Sequence, residues 1–306
     1  MIRIGMIGAG EIASAHTDAI AENPDCRLEV VCDIDISKAE KIAKAHNITV
    51  VSDYKDIKDV DAVIINLPHY LHCEVSCYFL EKGISVLVEK PMANTVEECK
   101  KMIEAAKNSK GKLAVGHVQR YYSAVHRVKE IIESEQLGKL CMICEVRNTD
   151  YLSGRPEWFL KKELSGGGIL MNYGAHSLDR IFYTTGKKVK NVNSVISNPV
   201  SDDNVELNAQ LLFELEDGVS ATVTFCGCHV PGEYEIAYYF TNGVAKLKNG
   251  SELLVYENGE WINYGGESRL MELQLKEFVK YLQGEESEIV TPEYGEEVVK
   301  VLQRLV

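Results

Sequence analysis

Residues 2–13 read Ile2-Arg3-Ile4-Gly5-Met6-Ile7-Gly8-Ala9-Gly10-Glu11-Ile12-Ala13, a short apolar run that leads into a glycine-rich turn. The run is typical of a buried strand, and the residues after the turn begin a helical pattern. Gly8 permits the tight turn, Gly10 lets the backbone approach a pyrophosphate, and Ala13 stands where the pattern usually has a third glycine. The helix start offers N–H groups and a positive dipole end to phosphates. This stretch therefore predicts a dinucleotide-binding strand, turn and helix. The alternative is a structural glycine turn that binds nothing.

The first third of the chain repeats this alternation of strand and helix. Short runs rich in valine and isoleucine lie at residues 28–32, 62–66, 85–88 and 113–116. Between them, Ser37 to Glu40 and Thr95 to Glu98 have the spacing of a capping box, in which a hydroxyl and a carboxylate satisfy the first N–H groups of a helix. Strands that are apolar throughout and separated by helices form a parallel sheet covered on both faces. We therefore predict a doubly wound Rossmann domain over residues 1–118.

The pattern changes after residue 118. The spacing predicts a helix over 121–134 and a strand over 139–149. Apolar and polar residues then alternate from Val205 to Leu215 and again after Asp217-Gly218, which indicates an antiparallel hairpin. Two helical stretches, 270–282 and 292–305, come last. We therefore predict an α/β protein whose second domain, 119–306, is an α+β domain on a largely antiparallel open sheet. Its closing helices can pack back on the first domain.

Composition narrows the range of functions. Of the 306 residues, 33 are Lys or Arg and 46 are Asp or Glu, which gives a net charge of −13. Such an acidic chain repels nucleic-acid phosphates and anionic membrane surfaces, so we expect neither as a partner. No run of apolar residues is long enough to span a bilayer. The nine irregularly spaced cysteines and the lack of a secretory pattern indicate free thiols in the cytoplasm, and we expect no metal site.

An acidic residue follows the second predicted strand. Asp33 lies twenty residues after Ala13, where a carboxylate accepts hydrogen bonds from the ribose hydroxyls of a dinucleotide. A negative charge at this place repels a 2′-phosphate. We therefore expect NAD rather than NADP, bound by the turn that contains Gly8, Gly10, Glu11 and Ile12.

Several further motifs occur in one order and spacing. They are Leu67-Pro68 followed by His72, Glu89-Lys90-Pro91, and the stretch from Gly166-Gly167-Gly168 through Asn172 and His176 to Asp179. Together with the first turn, they resemble the glucose–fructose oxidoreductase / inositol dehydrogenase / MocA (Gfo/Idh/MocA) family over essentially the whole chain. The resemblance implies an NAD(P)-dependent oxidoreductase that acts on a sugar, a cyclic polyol or a sugar nucleotide. It also implies that Leu67, Pro68, Glu89 and Lys90 contact the cofactor.

The resemblance assigns the chemistry to two residues. Lys90 is expected to hydrogen-bond the reacting oxygen of the substrate, and His176 to act there as acid or base. Where the family often has an aspartate, this chain has Asn172. An amide exchanges hydrogen bonds but accepts no proton at neutral pH, so the proton transfer falls to His176 and Lys90. A histidine with an ordinary pKa near 6.5 suits that task. The alternative is a structural histidine.

Other side chains are expected to shape the substrate pocket. Tyr151, Arg155 and Trp158 combine aromatic faces with a cationic fork, although Trp158 alternatively packs between the domains. Arg120 and Tyr121 are further candidates for substrate contact. Asp179 either accepts the second imidazole N–H and fixes the tautomer, or is an exposed acid on a helix surface.

The sequence is compatible with two functions. The chain is either the dehydrogenase described above or a catalytically silent member that binds nucleotide and regulates a protein partner. The presence of both Lys90 and His176 favours the enzyme; an imine or an enal is a further class of substrate. The second sheet has a polar face that contains Asn208, Gln210 and Thr222. Its own helices are not expected to cover this face, and members of the family commonly pair through this sheet. We therefore expect a homodimer or homotetramer.

Overall fold

A computed structural model describes residues 1–46, 48–200, 205–266 and 268–305. The chain divides into two compact units. Unit 1 comprises residues 1–118 together with the helical segment 270–303, and unit 2 comprises residues 119–269 with the few residues after 303.

The described residues form fourteen strands and nine α-helices. The strands are β1 (Ile2–Ile7), β2 (Cys26–Cys32), β3 (Thr49–Val51), β4 (Ala62–Ile65), β5 (Ser85–Glu89), β6 (Leu113–Gly116), β7 (Leu140–Asn148), β8 (Val189–Ser197), β9 (Asn208–Leu215), β10 (Ser220–Cys226), β11 (Glu233–Phe240), β12 (Val244–Lys248), β13 (Glu252–Glu257) and β14 (Glu260–Asn263). The helices are α1 (Glu11–Glu22), α2 (Ile36–His46), α3 (His72–Glu81), α4 (Val96–Lys107), α5 (Ser123–Glu133), α6 (Lys162–Ser165), α7 (Ala175–Thr185), α8 (Leu270–Gln283) and α9 (Pro292–Gln303).

Unit 1 is built on a six-stranded parallel sheet. Its order is β3-β2-β1-β4-β5-β6. Strands β1 to β3 extend toward one edge of the sheet and β4 to β6 toward the other, so the topological switch point lies between β1 and β4. Strands β4 and β6 are buried at every position, as expected when helices cover both faces. The predicted Rossmann fold is confirmed. Strand β3, only three residues long, was not predicted, because so short a run has no distinctive pattern.

The two predicted capping boxes differ in outcome. At α4, the Thr95 hydroxyl accepts from the Glu98 N–H while the Glu98 carboxylate accepts from the Thr95 N–H, which confirms that box. The box predicted at Ser37 is wrong. Ser37 lies inside α2, and its own N–H and hydroxyl donate to the Asp35 carboxylate. An aspartate two residues earlier therefore takes over the capping role.

Unit 2 is built on an eight-stranded sheet of order β14-β13-β12-β11-β7-β10-β9-β8. Only β7 and β10 are parallel neighbours, and the other pairs are antiparallel. The predicted hairpin of β9 and β10 is present, with Gly218 at φ +86° in its turn. Buried and less buried residues alternate along β9, so one face of the sheet looks inward. Strands β8 and β11–β14 were not individually predicted.

Helix α7 occupies the inner side of this sheet. Almost every residue from Ala175 to Thr184 is buried, and the Ser177 hydroxyl donates to the Glu145 carboxylate of β7 at 2.7 Å. Helix α5 packs beside α7. Within the described ranges, none of the helices combines the length and apolar character that crossing a bilayer requires.

Candidate active site

The turn after β1 has the backbone that the sequence predicts. Gly8 has φ +94°, and a Cβ at this position would lie 2.6 Å from the carbonyl oxygen of Asn66. The Gly8 N–H donates to the carbonyl of Cys32 at 2.8 Å. Both the left-handed backbone and the close approach of a second chain segment therefore require glycine here.

Gly10 has a different environment. It has an ordinary φ of −74°, and a Cβ built on it would have no described heavy atom within 4 Å. Gly10 is also the N-cap of α1, and none of the described side chains caps that helix start. A twelve-residue helix thus presents its first N–H groups beside open space, an arrangement that fits the pyrophosphate of a dinucleotide.

Asp33 lies at the same turn. Its half-buried carboxylate accepts from the Ala9 N–H at 2.7 Å and from the Asp35 N–H at 2.8 Å, through different oxygens. Each carboxylate oxygen has a second lone pair, so both remain capable of accepting from ribose hydroxyls. The sequence identified Asp33, but its bond to the glycine-rich turn comes only from the fold.

The residues that follow β5 form a polar cluster. Nε2 of His16 and Oε1 of Glu89 lie 2.9 Å apart, and the side chains are almost completely buried. Burial alone would raise the pKa of Glu89, but the hydrogen bond from His16 and the charges of His16 and Lys90 outweigh it and leave the pKa lowered. Glu89 is therefore ionised at neutral pH, directly before the half-buried Lys90.

His72 connects the loops that follow β4 and β5. Its Nδ1 lies 2.9 Å from the carbonyl oxygen of Pro91, and its Nε2 lies 2.8 Å from that of Leu67. Burial lowers the pKa of His72 and outweighs these carbonyls, which raise it. The fully buried ring thus lies between the Leu67 carbonyl and the loop that contains Lys90, and in its neutral form it donates to one of the two carbonyls. Because carboxyl ends of parallel strands meet at one edge, the predicted cofactor residues of unit 1 lie along a single edge.

In unit 2, Asn172 and His176 share one irregular helical segment. Residues Leu170–Gly174 form a π-helical turn that continues into α7. Both side chains are only 6% exposed. A π-turn inside a helix is frequent at functional sites, because it displaces side chains from the regular helical face. The sequence predicted the helix but not the π-turn.

Asp179 is fully buried, and its carboxylate accepts from the buried guanidinium of Arg120. The alternative of an exposed acid on the helix surface is therefore wrong. Arg120 and Asp179 form an ion pair inside unit 2, and Tyr121 beside them is also buried.

The loop after β7 places two of its three predicted side chains together. The Arg155 guanidinium lies over the Tyr151 ring, 4.0 Å from its centroid. Burial raises the pKa of the Tyr151 phenol, and the Arg155 charge opposes that rise. The buried Tyr151 hydroxyl has no hydrogen-bond partner among the described residues. Trp158 instead stacks on Phe159 with 3.8 Å between ring centroids.

The structure adds charged and aromatic residues that the sequence analysis missed. Glu145 accepts from Arg180 at 3.1 Å, and both side chains are almost completely buried. Arg147, two residues further along β7, lies between the rings of Tyr173 and Tyr234. In the sequence, the charged residues at alternate positions of β7 could have indicated that one face of the strand carries buried charges. Apolar residues occur on both faces of that strand, so this pattern was not clear.

Comparison with known proteins follows the two units. Residues 2–117 match the Gfo/Idh/MocA model described as an oxidoreductase family with an NAD-binding Rossmann fold, and residues 125–246 match the corresponding C-terminal domain.

Two curated relatives and one solved structure illustrate the similarity. The 1-carboxy-3-chloro-3,4-dihydroxycyclohexa-1,5-diene dehydrogenase of Comamonas testosteroni is 30% identical over 74% of this chain and 58% of its own length. The D-glucoside 3-dehydrogenase of Escherichia coli K12 is 31% identical over 63% of this chain and 57% of its own. The matches thus span less than three fifths of both relatives. The WlbA dehydrogenase of Bordetella pertussis, solved with NADH and UDP-GlcNAcA, has the same fold with a TM-score of 0.87 at 20% identity, covering 99% of this chain and 94% of that one.

Proposed function

The chain belongs to the Gfo/Idh/MocA family of oxidoreductases with an NAD-binding Rossmann fold, and from this we propose that it is an NAD-dependent dehydrogenase of a CH–OH group in a sugar, cyclic polyol or sugar derivative. The observation that carries the proposal is that Asn172, on the π-turn, and His176, at the start of α7, are both nearly buried on one continuous helical segment. A nearly buried histidine four residues after an amide on one helical segment suits the transfer of a hydroxyl proton.

We assign cofactor binding to unit 1. The first N–H groups of α1 hold the pyrophosphate, the open space at Gly10 admits it, and Asp33 accepts from the ribose hydroxyls. When bound, NAD accepts the hydride that the substrate carbon loses. The Asp33 charge predicts that NAD binds at least about tenfold more tightly than NADP. Calorimetric titration measures the difference, and equal affinities would refute the role of Asp33.

Side chains accept the hydroxyl proton and stabilise the negative charge that develops on the substrate oxygen. His176 accepts the hydroxyl proton, and general base catalysis of this kind contributes roughly 10²–10⁴-fold to the rate. The Asn172 amide accepts no proton at neutral pH, so its role is to orient the substrate by hydrogen bonding. The Lys90 ammonium stabilises negative charge on the substrate oxygen.

The substrate class comes from the family and its relatives. Both curated relatives are named as dehydrogenases, one of a dihydroxylated carbon ring and one of a glucoside. These names support a ring compound that carries hydroxyl groups. The particular substrate is a matter for experiment.

The test separates chemistry from cofactor binding. Polyols, aldoses and sugar nucleotides are screened with NAD and NADP for the absorbance of reduced cofactor, and the best substrate is then used with the variants H176A and K90A. Both variants are expected to lose turnover by at least about 100-fold. H176A should bind NAD as wild type does, whereas K90A, which also removes a predicted cofactor contact, should bind NAD more weakly. The exposed His229 of the same unit supplies the control H229A, which should keep full activity.

The contrary outcomes are equally specific. If H176A retains turnover, His176 takes no part in the chemistry. Joint loss of NAD affinity and turnover in H176A would assign His176 to structure. A wild-type protein that binds NAD, oxidises no compound in the panel and captures a protein partner only with NAD would be the silent regulator.

We also propose that two copies pair through the outer face of the unit 2 sheet. Val195, Leu212 and Met142 on this face are 71%, 47% and 41% exposed, and the strand register places them on the side opposite the inward-facing residues. Exposed apolar side chains on one face are typical of an interface. Light scattering should give a dimer or tetramer, and Leu212→Glu should shift it toward monomer; a monomeric wild type would refute this pairing.

A further inference from the structure

The inner side of the unit 2 sheet contains several arginines, and most of them have acidic partners. Arg120 pairs with Asp179, and Arg180 pairs with Glu145. Arg147 and Arg155, here called the arginine pair, differ. Among the described residues, neither forms an ion pair with a carboxylate. In a chain of net charge −13, two half-buried cations without a carboxylate partner require a reason.

Arg147 is held between two aromatic rings. Its guanidinium carbon lies 3.6 Å from the centroid of Tyr173 and 4.6 Å from that of Tyr234. Tyr234 is directly opposite Arg147 in the antiparallel pairing of β7 and β11. Stacking of this kind fixes the plane of a guanidinium, but it satisfies none of its N–H donors. In the described part of the chain, the buried Nη1 of Arg147 finds no hydrogen-bond acceptor.

Arg155 reaches the same place from the loop. Its Nη2 donates to the Tyr173 hydroxyl at 2.5 Å, and its guanidinium lies on the Tyr151 ring. Its buried Nε meets no acceptor among the described atoms. Tyr173 therefore contacts both arginines, and it leaves donors of each without a protein acceptor.

The arginine pair also lies beside the proposed catalytic segment. The guanidinium carbon of Arg155 is 5.4 Å from the Tyr173 centroid, so the guanidinium carbons of Arg147 and Arg155 are at most about 9 Å apart, the sum of their distances to that ring. Tyr173, which contacts both guanidinium groups, directly follows Asn172 in the chain. A ligand that contacts Asn172 is thus within reach of both cations.

We propose that the arginine pair binds an anionic group of the substrate, a carboxylate or a phosphate monoester. This inference rests on the proposed dehydrogenase function and narrows its substrate to an acidic sugar or polyol. A group with two or three acceptor oxygens can bridge two guanidinium forks, each at a distance of about 4 Å from its central atom. Guanidinium groups suit this task because their planar N–H donors match the geometry of both anions.

The alternative is that stacking alone accounts for the arginine pair. Stacking explains the positions of the guanidinium planes, but an uncharged side chain would pack there without the cost of burying a charge. It also leaves the unsatisfied donors of both residues unexplained. An anion accounts for the charge and for the donors together.

The test uses binding, so it does not depend on turnover. The NADH-loaded protein is titrated by calorimetry with inorganic phosphate, D-glucuronate, D-glucose 6-phosphate and D-glucose. Loading with NADH keeps the nucleotide-binding turn from taking up phosphate. We expect the variants R147Q and R155Q to bind the tightest charged probe about 10- to 100-fold more weakly than wild type, the loss of one or two charge-assisted hydrogen bonds. D-glucose should bind nearly equally to all three proteins.

A matched control and a second substitution keep the result interpretable. Arg127 is a surface arginine of α5 that pairs with Glu130, so R127Q should bind every probe as wild type does. Loss of NADH binding identifies a variant that fails to fold. R147K then replaces R147Q at that position, while R155Q, on a loop, tests the second arginine independently.

The outcomes separate the two proposals. If phosphate and both charged sugars bind no more tightly to wild type than to R147Q and R155Q, the anion site is refuted, even if a neutral sugar is oxidised. If the charged probes depend on the arginine pair but no sugar reduces NAD, the anion site stands and the dehydrogenase function fails. The tighter of glucuronate and glucose 6-phosphate identifies the anion as carboxylate or phosphate.

Discussion

Gly8 and Gly10 belong to one motif, but the structure predicts opposite consequences for an alanine at each. Gly8→Ala places a side chain at φ +94° and 2.6 Å from the Asn66 carbonyl oxygen. The left-handed backbone costs about 1–2 kcal/mol, and relief of the clash costs about 1–3 kcal/mol more. At roughly 2–4 °C per kcal/mol for a unit of this size, the sum of about 2–5 kcal/mol should lower the melting temperature by roughly 4–20 °C.

Gly10→Ala meets no protein atom. Its φ is −74° and its Cβ would point into open space, so the cost is that of alanine at an N-cap, about 0.5–1 kcal/mol relative to glycine. The methyl group stands where the pyrophosphate approaches the first N–H groups of α1. Loss of one charge-assisted hydrogen bond weakens NAD binding by about 10- to 100-fold. G10A should therefore remain stable and bind NAD poorly.

The assay combines thermal unfolding without cofactor and calorimetric titration with NAD. Gly232 of unit 2 also has open space around its Cβ position and no positive φ, so G232A should change neither quantity. Wild-type NAD affinity in G10A would refute the placement of the pyrophosphate at this turn. A G8A protein as stable as G10A would refute the argument from backbone strain.

Three further predictions concern stability. Thr95→Ala removes a helix cap and should cost about 1 kcal/mol in urea unfolding, whereas Ser37→Ala, inside α2, should cost a few tenths; equal losses would contradict the capping assignments. Asp179→Ala removes the carboxylate that pairs with the buried Arg120 and should destabilise the protein by about 3–5 kcal/mol, and an unchanged melting temperature would contradict the burial of this pair. The lowered pKa of Glu89 means that its carboxylate stabilises the fold above its usual value of 4.5 and loses that contribution as the pH falls through the lower, folded-state value. Glu89→Gln should therefore flatten the fall in unfolding free energy below about pH 4.5, and an unchanged acid slope would refute this role.

Much of the fold was predictable because its signals are local. The glycine-rich turn, the apolar runs of the parallel sheet and the alternation along β9 and β10 each depend on a few consecutive residues. The cap of α2 was not predictable in the same way. Asp35 and Ser37 are both good capping residues, and the geometry of the loop, rather than residue type, selects Asp35.

In the candidate site, too, the residues of one local motif were predictable and the contacts between distant residues were not. Asn172, His176 and Asp179 were found because they lie close together in one motif. The burial of Asp179 and its pairing with Arg120 were not found, since the two residues are far apart in the chain. Glu145 and Arg147 were missed because a charged residue in a strand is normally taken to face solvent.

By itself, the sequence determined the alternation of strands and helices in the first domain, the dinucleotide-binding turn with Asp33, and the separate motifs that contain Lys90 and His176. The strands, helices and turn follow from backbone sterics and hydrophobic periodicity, which act between residues a few positions apart, and the two motifs were identified by their resemblance to the family. Only the tertiary structure decided which charges are neutralised inside unit 2. The register of β7 with β11 places Arg147 opposite Tyr234, and the packing of α7 gives Arg180 its acid in Glu145. Such pairings depend on contacts between distant segments, and these contacts exist only after the sheet has formed.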